Sequence, residues 1–447
     1  MNILVIGNGF DLAHGLPTKY TDFLYFCSIV NCLIKYNKIE NKIPKCDDDY
    51  IKWVNNDESV DVKKIDLEKN MLYWYERKAK ATERDKKVYK DIFENFITKT
   101  FLEVNKNQKI VKEIIYLIFN NFWIDFFIQH DMHCKENWID FEFEISNIIR
   151  TIEKIMRKKS SIYDEVTDWS KWPFDFLKKY YVNNENDKVE FKEIRDKMQK
   201  DLNKLIRVFE IYLTIYVEKI TIDLISPDIE CVAAVNIYGE HGIKGILLSQ
   251  IISFNYTKIF WDIYMDKFNI ASEKYIDYIH GKADIENNLK TNNMVLGMDE
   301  YLSEKRKNRE TEFIAFKKYY QRIHKETGCK YKEWVNKIKE SGKEVETNFR
   351  KEFPMQIPIE KFRNCRHNLY IFGHSLDVTD KDILKELILN DNVKTTIFYL
   401  NKDIMGQQIA NLVKIIGQDE LIRRTGGRTK TIEFKQQRDM IPINTND

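Results

Sequence analysis

The sequence predicts an α/β protein, a parallel sheet carrying a large and mostly helical insertion. Three observations point there. Residues 2–6, NILVI, are too uniformly apolar for a strand with one wet face and suit a strand covered on both. Glycine is then absent from 25 to 230, where charged and large apolar residues interleave at helical spacing. After residue 231, strand-like runs return and alternate with helical ones, the pattern of parallel strands joined by crossovers.

The elements follow in order. The first strand runs into the loop GNG, and a helix is expected from about Asp11 into TDFLYFCSIVNCLI, so residues 1–24 form a first strand–loop–helix. Residues 25–230 form the insertion, with helices expected over 83–130, 137–157 and 189–222. In the second of these, Trp138, Phe141, Ile145, Ile148, Ile149, Ile152 and Met156 recur at steps of three or four residues, with Asn137 placed to cap. Residues 231–447 complete the α/β domain. Strands are expected at QIISFN (250–255), YIDYIHG (275–281), NMVLGM (293–298), NLYIFGHS (368–375) and TTIFYLN (395–401). Helices are expected at KIFWDIYMDKF, where Thr257 is placed to cap, over about 303–341, and at DKDILKELIL.

Composition narrows the function classes. A hydrophobic share of 43% suits a folded protein with an ordinary core. The 72 basic and 70 acidic residues leave a formal charge of +2, which gives no global pull toward nucleic acid or a membrane surface. The N-terminus lacks the basic start of a signal peptide, and its apolar run stops at Gly7. The most apolar stretch, 114–128, contains Asn120, Asn121 and Asp125 and reads as a buried helix, not a membrane span. Seven scattered cysteines without a CxxC pair fit free thiols and a cytoplasmic location.

The opening loop carries the first candidate chemistry. A strand that ends in glycines and feeds a helix turns backbone N–H groups and a helix dipole toward one point, a setting for phosphate. Gly7 and Gly9 fit the dinucleotide fingerprint G-x-G-x-x-G, but Leu12 stands at the third glycine. Gly7 and Gly9 followed by Gly15-Leu16-Pro17 have the offsets of the sirtuin-type NAD loop, G-x-G-x5-G-[IL]-P. The run IGNGFDLAHGLPTKYTDF closely resembles the opening of the AbiH family of bacteriophage abortive-infection proteins. NWIDFE (137–142), SFNYT (253–257) and FGHSLDVTD (372–380) extend that resemblance along the chain. It implies a part in antiviral defence that harms or halts the infected cell.

The sirtuin-like order continues and implies a Rossmann-like sheet. Asn255 in SFNYT resembles the strand-end Asn of those enzymes, His280-Gly281 their His-Gly, and Gly373-His374-Ser375 their late G-x-S loop. All lie at expected strand ends, where open α/β sheets bind ligands. The resemblance implies NAD as substrate or ligand, with Gly7, Asn8, Gly9, Asp11, Gly15, Thr257, Gly373, Ser375 and Asp377 around it. An Asn side chain offers both donor and acceptor to orient water or a ribose hydroxyl, and a neutral His takes a proton near neutral pH. Asn255 is therefore assigned to positioning and His280 to general base; the plain alternatives are a turn cap and a hydrogen-bonded structural histidine. Thr257 stands where sirtuin-like enzymes carry an Asp, so the ribose contact falls to Asp11 or Asp377. The four-cysteine zinc module of deacylating sirtuins has no counterpart, since Cys329 and Cys365 are isolated. Hydrolysis of NAD or a related nucleotide fits better than deacylation.

The remaining polar clusters read more plainly. His130, His133 and Cys134 have metal-compatible spacing but no clear fourth ligand, so no metal is expected. Asp377 or Asp380 caps a helix, and His14 reaches a phosphate or covers the helix start. Asp140 and Glu142 point to different sides of one helix and accept basic groups from the core or line a cleft. Two other classes stay open: a nucleotide-binding sensor without catalysis, and a nuclease effector built on the insertion, with a local basic patch for nucleic acid. A nucleotide, a phage-derived trigger and a second copy of the chain are the expected partners.

Overall fold

The protein is described from a computed structural model. Described are residues 1–56, 58–63, 81–102, 108–133, 140–158, 191–229, 236–238, 244–246, 250–265, 275–303, 305–352, 367–427 and 430–443. The chain divides into two compact units. One holds Met1–Leu16, Glu218–Ala283 and Arg322–Asp447; the other holds Pro17–Val217 and Asp284–Gln321.

The first unit is built on a six-stranded sheet: β1 (Asn2–Ile6), β2 (Gln250–Ser253), β3 (Ile276–Tyr278), β4 (His367–Phe372), β5 (Val393–Tyr399) and β6 (Ile432–Gln436). Across the sheet the order is β3-β2-β1-β4-β5-β6, and every pairing is parallel. β1 is central, with Val5 opposite Ile252 on one side and Ile371 on the other. Its residues Ile3 to Ile6 are all buried, as a strand covered on both faces requires. Each such side chain contributes about 1.5–3 kcal/mol of transfer free energy.

Side-chain alternation divides that core in two. Ile3, Val5, Ile252, Leu369, Ile371 and Ile397 pack with Trp334, Val335, Leu384, Leu387 and Leu412 from the helices Tyr331–Glu352, Lys381–Ile388 and Lys402–Ile416. The alternate positions meet aromatic rings: Phe372 lies against Phe10 and Phe398. The strand order reverses between β1 and β4, so the loops that leave these two strands flank the switch point.

The second unit is helical. Tyr20–Tyr36, Gln108–Ile118, Phe122–His133, Phe141–Lys158 and Phe191–Ile215 are its principal helices. Stacked rings fill its interior: Phe127 on Phe141 at 4.0 Å between centroids, and Phe96 on Tyr216 at 5.2 Å. The buried Glu210 ties helix to loop, accepting from Arg207 Nη1 (2.6 Å), the amide N–H of Asp284 (3.1 Å), Asn287 Nδ2 (2.6 Å) and Asn292 Nδ2 (2.5 Å).

Several expectations are corrected. The first helix, α1, runs only over Asn8–Ala13, and a separate helix starts at Tyr20. The break is a Schellman stop: Gly15 is left-handed (φ +79°), the N–H of Gly15 donates to Leu12 and that of Leu16 to Asp11. The apolar run 114–128 is two helices. Asn120 turns left-handed, and Asn121 Oδ1 then accepts the N–H groups of Trp123 and Ile124 as the cap of the second. The helix expected from 137 begins at Phe141, capped by Asp140, which accepts from Glu142 N (2.9 Å) and Phe143 N (3.1 Å). Asn137 and Trp138 lie outside the described residues. Residues 305–309 form turns in place of helix, and the helices lie at Lys318–His324 and Tyr331–Glu352.

Residues 293–298 form no strand. Their backbone is satisfied instead by the Gln321 side chain, which accepts from Leu296 N and donates to Leu296 O, both at 3.0 Å, and by Met298 N donating to Phe316 O. One side-chain amide takes the place of a partner strand.

Candidate functional site

The site lies in the sheet unit, where β1, β2, β3 and β4 end and their loops begin. Gly7 and Gly9 follow β1. The Gly9 N–H donates to the Gly373 carbonyl at 2.7 Å, and Gly7 N donates to Phe372 O at 3.1 Å. A Cβ on Gly9 would sit 2.8 Å from Gly373, and one on Gly7 would sit 2.7 Å from the His374 backbone. Gly373 is left-handed (φ +67°), and a Cβ there would lie 2.2 Å from Phe10 N. These glycines let two backbones meet at the switch point.

α1 carries Asp11 inward. Its carboxylate is buried and accepts from Asn255 Nδ2 (3.0 Å) and Thr257 Oγ1 (2.9 Å), both just past β2. Thr257 therefore serves Asp11, while Glu218 Oε1 takes the Lys258 N–H (3.0 Å) at the start of the next helix. Asp11 is pushed up to about 7, first by burial, which outweighs the two donors, with the nearby Glu218 charge adding to it. Asn255 is itself buried, held by reciprocal bonds with Ser253: its N–H donates to Ser253 Oγ (3.2 Å), and that hydroxyl donates to its carbonyl (3.1 Å). Among the described residues, its side-chain Oδ1 has no hydrogen-bond partner. A buried acceptor left this way costs about 1–3 kcal/mol.

His280 follows β3, and Gly281 turns left-handed after it (φ +78°). His280 Nε2 lies 3.1 Å from Asp380 Oδ1, and His374 Nε2 lies 3.6 Å from Asp380 Oδ2. All three side chains are buried. Phe254 packs edge-on against both imidazoles, 4.3 Å from His374 and 5.4 Å from His280 between centroids. His374 Nδ1 accepts the N–H of Leu376 at 2.9 Å. Leu376 adopts φ +58° to offer it, a left-handed backbone that costs a non-glycine residue about 1–2 kcal/mol.

The expected site residues thus fall into groups. Gly7, Gly9 and Gly373 meet one another; Asp11, Asn255 and Thr257 form one hydrogen-bonded cluster; His280 joins a histidine–carboxylate cluster beside it through Phe254. Asn8 and Ser375 are exposed, and the Ser375 carbonyl accepts from Asn411 Nδ2 at 3.1 Å. Gly15 sits in the helix stop. Asp377 is the cap of the turn Val378–Asp380, accepting from Thr379 N at 2.9 Å. Asp380, by contrast, makes no side-chain cap to the helix that follows it. Its link to both histidines was not legible in sequence, where it read as a cap. The hint was a His and an Asp six residues apart after a glycine turn.

His14 donates from Nδ1 to Phe10 O (2.8 Å) and accepts at Nε2 from the Tyr264 hydroxyl (2.9 Å). Burial pushes it down to about 4, so it is neutral and covers the helix. Glu142 pairs with Lys318 at 2.7 Å. Cys134 and Cys365 lie outside the described residues. Among the described residues no group of three His, Cys, Asp or Glu is placed to hold a metal. No helix among them is long and apolar enough to cross a membrane.

Comparison with known proteins decides the family. The model of bacteriophage abortive infection AbiH matches residues 3–400. The chain is an AbiH protein. Membership implies a role in bacteriophage abortive infection. No curated protein matches the chain, and no solved structure matches it. In this AbiH chain the matched span contains Asp11, Asn255, His280, His374 and Asp380.

Proposed function

We propose that this AbiH protein is an abortive-infection effector that binds a nucleotide at the carboxyl edge of its sheet and hydrolyses NAD or a relative at the N-glycosidic bond. The observation that carries the reading is the meeting of Asp11, Asn255 and Thr257 in one buried cluster at the ends of β1 and β2, with an acceptor of Asn255 left over. A buried polar atom in that state is paid for by folding and suits a ligand that donates to it, such as a ribose hydroxyl or water. The strand order supports the same reading, because parallel sheets ordered in this way bind dinucleotides beside the reversal.

The chemistry asks little covalent work of the protein. The bond between ribose C1′ and the ring nitrogen breaks, and its electron pair leaves on neutral nicotinamide. Water oxygen bonds to C1′, and its proton goes to His280. Asn255 holds the attacking or flanking hydroxyl, which is a positioning effect. Asp11, poised near neutrality, accepts or donates a hydrogen bond to the ribose according to its proton.

The NAD pool of phage-infected cells tests this. Cells expressing the wild-type chain are expected to lose NAD after infection, and cells expressing Asn255→Ala to keep it. Phage protection that persists with an intact pool, or that survives Asn255→Ala, selects the non-catalytic sensor instead.

A further inference from the structure

We propose that Asp380 is a positioning residue of this site, and that it makes Nδ1, not Nε2, the basic nitrogen of His280. The general-base role rests on the functional reading above; the tautomer does not. The argument runs along a chain of donors. Leu376 presents its backbone N–H to His374 Nδ1 at 2.9 Å, so that nitrogen is the acceptor and the His374 proton sits on Nε2. His374 Nε2 then faces Asp380 Oδ2 at 3.6 Å, which turns the carboxylate with its other oxygen toward His280. Oδ1 meets His280 Nε2 at 3.1 Å. A carboxylate oxygen only accepts, so the His280 proton is held on Nε2 and the lone pair is left on Nδ1.

Three further features fit a built arrangement. The histidines and Asp380 are buried together, and Phe254 wedges both rings edge-on, which fixes their planes. The left-handed backbone at Leu376 is retained where its N–H fixes the His374 tautomer. Asp380 is also spared the duty its position offers, since it does not cap the helix Lys381–Ile388 with its side chain. In the usual serine-protease arrangement the acid faces Nδ1 and the base is Nε2. Here the polarity is reversed, and the proton taken from water arrives on Nδ1 while Asp380 stabilises the imidazolium through Nε2.

The full-length protein labelled with 15N-histidine reports this directly. Long-range 1H–15N correlations at about pH 8, above the ordinary imidazole range, distinguish the two tautomers and the imidazolium. The His280 signals are identified by their loss in His280→Gln. The wild-type chain is expected to show His280 protonated at Nε2 alone. Asp380→Ala is expected to give a mixture of tautomers and to lower nicotinamide release by roughly 100-fold or more while nucleotide binding persists. A His280 proton on Nδ1, an imidazolium at that pH, or an Nε2–H pattern unchanged by Asp380→Ala would overturn the proposal. Should Asp380→Ala not fold, the wild-type spectrum decides alone. A wild-type chain with the expected tautomer and no NAD turnover would defeat the functional reading and leave the positioning intact.

Discussion

Acids in the helical unit, buried or half-buried, and Asp11 in the sheet unit are treated in opposite ways. In the helical unit, Glu210 and Glu113 share the Arg207 guanidinium, Asp22 takes two bonds from Arg84 at 3.0 Å each, and Glu142 and Glu300 meet Lys318 and Lys317. Asp228 in the sheet unit follows that rule with Arg438 at 2.8 Å. Asp11 does not: its donors among the described residues are an amide and a hydroxyl, and a second carboxylate, Glu218, adds repulsion. An acid matched by a cation is a strut. An acid kept buried among neutral groups spends stability, and such expense concentrates where chemistry is done.

Three variants break or sharpen that contrast. The largest effect belongs to Arg207→Ala, which strands the buried Glu210 and the largely buried Glu113 without their cation. Losing one partner of a buried pair costs about 3–5 kcal/mol, read as a fall in the unfolding midpoint of the helical unit. An unchanged midpoint would mean the guanidinium is no strut.

Asp11→Asn comes next and acts through pH. The folded carboxyl titrates near 7 against an ordinary 3.8, so between those values the folded state keeps a proton that the unfolded state has released. Stability is therefore fully present at low pH and falls as pH rises toward about 7, by on the order of 4 kcal/mol. Asp11→Asn is expected to remove that slope from a series of melts between about pH 4 and 8. The same slope in both proteins would show that Asp11 is not the group responsible. Thr257→Val is the mildest. It removes one donor to the carboxylate for about 1 kcal/mol and moves the midpoint of the pH transition higher. A midpoint that stays or moves lower would contradict the bond.

Much of the sheet was legible because apolar runs were punctuated by glycine or asparagine at their ends. β1, β2 and β3 sit inside runs read as strands, and β4 and β5 overlap theirs but begin one and two residues earlier, at His367 and Val393. β6 was not legible: IEFKQ is short, polar at its end and on the sheet edge, so it lacks the apolar signature of a covered strand. The reverse failure came at 293–298, where burial produced the apolar run without a ladder. A glutamine far along the chain supplied the hydrogen bonds, and no local pattern announces that.

The site divides similarly. Asn255 and His280 could be singled out because their motifs resemble sirtuin-type strand ends, and Asp11 because Thr257 stands where that resemblance calls for an Asp. The glycines were harder to interpret, since one spacing served two physical needs. Gly9 and Gly373 make room for each other's backbone, whereas Gly15 supplies the left-handed turn that stops α1. The Asp380–histidine cluster depends on two loops converging, those after β3 and β4, and sequence carries no direct mark of that.

Nicotinamide release by the purified full-length chain, supplied with NAD and phage lysate as trigger, tests the central claim most directly. Steady release by the wild-type protein, abolished in His280→Ala and in Asn255→Ala, is the predicted result. No release under any trigger, or release by either variant undiminished from the wild type, would contradict it.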